Sequence, residues 1–213
     1  MPTFLEETDS INFKNLKFKE YLNQFKFGSD QTKNAMDIYF SVRDHFLYDP
    51  YHLNIKKNAL IASKIIYKKR AWCVEKALIM IACCRAIGIP SRFGFAIVKN
   101  HIGIEKLKIY LKRDEIVFHG YVEVFLDNKW IKCTPAFDRR VCRLSGVKPL
   151  DWDGKNDSMF QEFDKGTKFM EYLNFYGEFA DIPFELMHAE MNKYYPHLFE
   201  TQIELKSFSF LHD

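Results

Sequence analysis

Residues 70–92, RAWCVEKALIMIACCRAIGIPSR, restrict the possible folds more than any other stretch of this chain. Apolar side chains at Ala77, Leu78, Ile81, Cys84 and Ile87 follow the i, i+3, i+4 spacing of a helix, and Ile79, Met80 and Ala82 widen that stripe until little of the helix is left for solvent. No Gly or Pro interrupts residues 73–87. Gly88 supplies a left-handed stop and Pro90 prevents resumption, so the helix begins close to Cys73. A thiol there meets unpaired backbone N–H groups and the positive end of the helix dipole, which favour thiolate and lower its pKa from roughly 8.5. A cysteine so placed is either a nucleophile or a small buried hydrophobe, and its partners decide which.

A helix this apolar needs a core around it, and 213 residues at 47% hydrophobic and 16% aromatic can provide one. The expected organisation is a single domain over 1–213, with a core at about 33–140 and a C-terminal extension at about 141–213. Lys plus Arg exceed Asp plus Glu by only 31 to 28. The short basic run at 64–70 lacks the second cluster with interleaved aromatics that nucleic-acid binding requires, so no nucleic-acid partner is expected. The acidic start MPTFLEETDS is unlike a signal peptide, and no stretch approaches the ~18 apolar residues of a membrane span. The expectation is a cytoplasmic protein, or an effector secreted without a cleaved signal, with no membrane partner. Five cysteines without even, disulfide-like spacing suit a reducing compartment. Nothing in the pattern specifies an oligomeric state.

Residues 32–49 carry a helical stripe from Ala35 to Leu47 that Asp49-Pro50 ends, and residues 58–69 suit a further helix, with a cap at Ser63 as an alternative start. After Pro90 the period becomes two: residues 92–98 read as a strand, a short helix fits Glu105 to Leu111, and IVFHGYVEVFLDNKWIKC reads as a hairpin turning at Asp127-Asn128. A two-residue turn pairs Leu126 with Lys129 and sets His119 opposite Ala136. Thr134 and Asp138 then flank His119 on one face, across a diagonal of roughly 7–8 Å. Asp138 could accept from one imidazole nitrogen and leave the other for a thiol. Asp151, Asp153 and Asp157 match a calcium loop poorly and read as turn formers. Helices are expected from Lys168 to Phe175 and from Pro183 to Tyr194.

Cys73, His119 and Asp138 form a Cys–His–acid set suited to acyl transfer, with the Cys73 backbone N–H and the Trp72 indole N–H as oxyanion donors. The blocks WCVEKA, RAIGIPSR, HGYVEVFLDNKW and TPAFD resemble the transglutaminase-like superfamily over roughly residues 35–140, and PLDWDG, DSMF and DIPF resemble the continuation seen in a bacterial branch of it. The resemblance implies an α+β, papain-like fold in which a cysteine-bearing helix packs on an antiparallel sheet, followed by a helical C-terminal extension. It places Cys73 as nucleophile and His119 as base. In the superfamily an acid usually stands where this chain has Thr134, so Asp138 substitutes, Thr134 orients the imidazole, or the site no longer catalyses. The implied activity is cysteine-dependent acyl transfer on an amide of a protein or peptide, by hydrolysis, deamidation or transamidation, with no cofactor and no metal. The alternative is a binding module that kept the fold without the chemistry. Cys83, Cys84, Cys133 and Cys142 lack metal-ligand spacing, and Glu75 and Lys76 read as residues that cap and cover the cysteine helix.

Overall fold

Ahead of the cysteine helix, α1 (Leu16–Leu22) and α2 (Gln31–His45) precede a short strand β1 (Leu47–Tyr48), then α3 (Ala62–Ile65) and β2 (Arg70–Ala71). The computed structural model describes residues 2–100, 105–159 and 170–200. Helix α4 (Cys73–Ala86) is followed by β3 (Ser91–Asn100), α5 (Glu105–Leu111), β4 (Glu115–Leu126), β5 (Lys129–Cys133) and α6 (Arg139–Leu144). Strand β6 (Met170–Phe179) and helices α7 (Phe184–Tyr194) and α8 (His197–Glu200) come last.

Every residue of α4 from Cys73 to Arg85 is buried, as its all-round apolar character requires. One flank packs on α2, whose Ala35, Ile38, Tyr39 and Val42 are fully buried, and another on a four-stranded antiparallel sheet ordered β5-β4-β3-β6. Each large aliphatic side chain sequestered there contributes roughly 1.5–3 kcal/mol. At the far end of α4, Gly88 takes φ +81°. The buried Arg85 guanidinium reaches the carbonyls of Ser91, Glu6 and Ala180, so the helix end holds the N-terminal arm and the chain after β6 together.

The hairpin forms in the expected register, Leu126 opposite Lys129 and Val122 opposite Cys133. Asp127 and Asn128 both have positive φ, 47° and 62°, the geometry of a type I′ turn whose twist matches that of its strands. Two expectations are corrected. Helix α3 spans four residues rather than most of 58–69. The chain from Met170 is a strand rather than the helix expected from Lys168 to Phe175, because β3 offers it an unpaired edge: β6 pairs with β3 from Phe93 to Asn100, with register shifts that leave Gly177 at φ +107°. Its aromatic residues suit a half-buried pleat as well as a helical stripe. The start of that expected helix lies outside the described residues. Among the described residues no helix is long and apolar enough to cross a membrane.

Candidate active site

Strand β2 ends one residue before α4, so Trp72 is the N-cap and Cys73 the first helical residue. The buried Glu75 carboxylate accepts the Trp72 backbone N–H at 3.3 Å and pairs with Lys68. This fixes the entry of the chain into the helix. The first turn of α4 then rests directly on β4, where Gly120 permits the approach: a Cβ there would lie 3.1 Å from the Cα of Val74. The backbone N–H groups of Gly120, Val74 and Cys73 itself favour the charged form of the Cys73 thiol. The thiol thus lies near the residue that follows His119.

The sign of the Cys73 shift is opposite to the sequence expectation. Burial pushes the thiol up to about 11, although the three N–H donors pull the other way. The helix terminus is worth a fraction of a kcal/mol to about 2 kcal/mol, whereas full removal from water moves an ionisable group by several pKa units, so desolvation wins. His119 is also completely buried, and desolvation lowers it from 6.5 to about 4. Both groups are therefore neutral at pH 7. Neither ring nitrogen of His119 has a hydrogen-bond partner among the described residues, the Cys73 thiol included.

Just before His119 the strand is distorted. Phe118 has φ 60°, stacked on Phe95 at 4.5 Å, and the β3–β4 register slips between Ala96 and Val98. A non-glycine residue in that region costs about 1–3 kcal/mol and persists only where packing enforces it. Bulges of this kind re-aim neighbouring side chains.

The depressed pKa of His119 has a stability consequence. Its contribution is present above the unfolded value of 6.5 and is lost as pH falls towards 4, and 2.5 units correspond to about 3 kcal/mol. Urea unfolding of the native protein and of His119→Leu, compared from pH 7 to pH 4, should show native stability falling by about that much relative to the variant. Parallel curves would mean that His119 titrates near its ordinary value in the folded chain.

Thr134 and Asp138 are both buried, but they do different things. Strand β5 leaves the ladder at Cys133, so the diagonal that would set Asp138 beside His119 does not form. Asp138 is instead the N-cap of α6: Oδ1 accepts from the N–H groups of Arg140 (2.8 Å) and Val141 (3.1 Å), and Oδ2 accepts the Tyr48 N–H at 2.6 Å. Thr134 Oγ1 lies 3.1 Å from the hydroxyl of Tyr172, whose ring stands edge-on to His119 at 6.0 Å between centroids. Tyr172 on β6 is thus a site neighbour that the sequence did not disclose, since its position depends on β6 being a strand. Burial holds its phenol well above the usual range, so it stays protonated.

Around the rear of the site, Lys76 is buried rather than a surface cover. Its Nζ donates to the carbonyls of Arg43 (2.8 Å), Phe46 (2.8 Å) and Ala136 (2.7 Å), joining the end of α2 to the loop before α6. The aspartates of the 151–157 loop hold structure: Asp151 pairs with Arg43, Asp153 closes a turn on Lys155 and Asn156, and Asp157 accepts the Lys132 N–H. Among the described residues no cluster could hold a metal ion.

An apolar cleft leads to Cys73 and Trp72. Its walls come from the segment after β1, from Leu107 and Leu111 of α5, and from Met191 and Tyr195 of the C-terminal segment. Tyr195 is pinned there, its hydroxyl donating to the Glu115 carbonyl and accepting the Val117 N–H, each at 2.8 Å. The indole N–H of Trp72 is buried without a partner among the described residues.

Residues 19–135 match the family model of the transglutaminase-like superfamily core. No curated protein matches the chain. Among solved structures, a candidate cysteine protease from Cytophaga hutchinsonii aligns with a TM-score of 0.47 at 20% identity, covering 67% of this chain and 43% of its own. The chain thus spans less than half the length of that protein.

Proposed function

Because the chain belongs to the transglutaminase-like superfamily, whose model matches just over half of it, we propose that it is a cysteine-dependent acyl-transfer enzyme acting on an amide bond of a protein or peptide, with Cys73 as nucleophile and His119 as general base. The observation that carries this reading is the close contact of the first turn of α4 with β4, where a Cβ on Gly120 would lie 3.1 Å from the Cα of Val74, so that Cys73 opens its helix beside the strand that bears His119. The Cytophaga hutchinsonii protein's description as a candidate cysteine protease accords with peptide substrates.

In the proposed reaction the neutral thiol loses its proton to His119 as sulfur bonds to the amide carbonyl carbon. The C–N bond then breaks, and the amine leaves with the proton carried by the imidazolium. Water or a second amine resolves the thioester, giving hydrolysis or deamidation in one case and transamidation in the other. In this reading the indole N–H of Trp72 and the backbone N–H of Cys73 receive the oxyanion. In this reading Thr134, 3.1 Å from the Tyr172 hydroxyl, takes the orienting role of the carboxylate that the family usually has there. A neutral partner can orient an imidazole, although it stabilises imidazolium less.

This assignment of roles separates two variants. Thr134→Val should lower kcat by about 10-fold or more and shift the pH profile. Asp138→Asn should chiefly reduce stability, by about 1 kcal/mol through a weakened cap, and leave the pH profile in place. The reverse order would return the orienting role to Asp138. The second reading, a binding module without catalysis, is favoured by the threonine at 134 and the buried, neutral thiol. Intact-mass analysis after mixing with peptide amides decides between them: an acyl adduct confined to Cys73 supports the enzyme, and ligand binding with no adduct or turnover supports the module.

A further inference from the structure

We propose that the cleft ending on Cys73 selects substrates carrying an apolar side chain next to the scissile amide, and disfavours charged ones. This rests on Cys73 as the acyl acceptor. Leu53, Leu107, Leu111, Ile116, Val117 and Met191 face the cleft, and among the described residues no Asp, Glu, Lys, Arg or His lines it. A charged side chain entering would lose its water with no opposite charge to replace it, whereas an apolar one would gain contact on several sides.

The polar groups present reinforce that discrimination. The Tyr195 hydroxyl is already committed on both sides, to the Glu115 carbonyl and the Val117 N–H. The unpartnered Trp72 indole N–H is a neutral donor suited to a peptide carbonyl and unable to neutralise a carboxylate.

The test uses the full chain carrying Cys73→Ser, with methionine methyl groups labelled for NMR, titrated with acetylated peptide amides that differ at one residue: leucine, phenylalanine, lysine or glutamate. The leucine and phenylalanine peptides should shift the Met191 methyl and bind at least ~10-fold more tightly than the charged pair, a ratio of the size apolar pockets give. Leu53→Lys, at a half-buried rim position that tolerates change, should narrow that ratio and improve the glutamate peptide. Equal affinities for all four peptides, or an unmoved Met191 methyl, would overturn the inference. Selective binding to a chain whose native Cys73 forms no adduct would refute the enzymatic reading alone and leave the pocket's preference standing.

Discussion

Replacing Cys73 with serine is expected to abolish acyl-adduct formation and reduce turnover by ~10³-fold or more while leaving the fold intact. The loss follows from chemistry: an alcohol is a far weaker acid than a thiol, and an imidazole lowered to about 4 is a poor base for removing its proton. The tolerance follows from packing. Serine is slightly smaller, the Gly120 N–H that favours the thiolate can equally serve a hydroxyl, and a buried hydroxyl with a partner costs little. Thermal unfolding should stay within a few degrees of the native protein. Retained adduct formation in the variant would remove Cys73 from the mechanism, and a collapse of the fold would make its role structural.

Lys76→Met is expected to cost about 3 kcal/mol or more of stability, the largest effect of any substitution outside the reacting groups. The lysine Nζ has three N–H bonds and meets three carbonyls, those of Arg43, Phe46 and Ala136. Methionine fills the same space and satisfies none of them. Each orphaned buried acceptor costs roughly 1–3 kcal/mol. Burial lowers the lysine to about 7, so removing it also relieves a desolvation cost. Three unpaired carbonyls at the junction of α2, α4 and the loop before α6 outweigh that relief. Urea unfolding at pH 7 measures the balance: a midpoint shift equivalent to about 3 kcal/mol is expected, and an unchanged midpoint would mean that the carbonyls find other partners.

Lys76 also shows where sequence reasoning stops. A lysine one turn into a helix ordinarily covers an apolar face, and only the convergence of α2 and the 134–138 loop on that point makes it an internal tie. Asp138 fails to reach His119 for a related reason. The hairpin register is local and legible, fixed by Asp127-Asn128, but the departure of the chain after Cys133 is set by contacts with Ser158 and Tyr39, distant in sequence. Helix α4 was legible because its periodicity and its Gly88 stop are both written within the stretch itself. Tyr172 was not, because a run of aromatics is compatible with helix or strand until β3 offers an edge. The sign of the Cys73 shift was hidden too: helix position is readable in a sequence, whereas the depth of burial produced by α5, α7 and β4 is not.

The proton transfer from Cys73 to His119 is tested most directly by the rate of Cys73 acylation by a peptide amide as a function of pH, in the native chain and in His119→Gln. If the imidazole is the base, the native rate at pH 7 exceeds the variant's by ~10² or more, within the range general-base catalysis contributes. The two profiles then converge as pH approaches the thiol's own value of about 11, where sulfur ionises unaided. Superimposable profiles from pH 6 upwards would show that Cys73 reacts without His119.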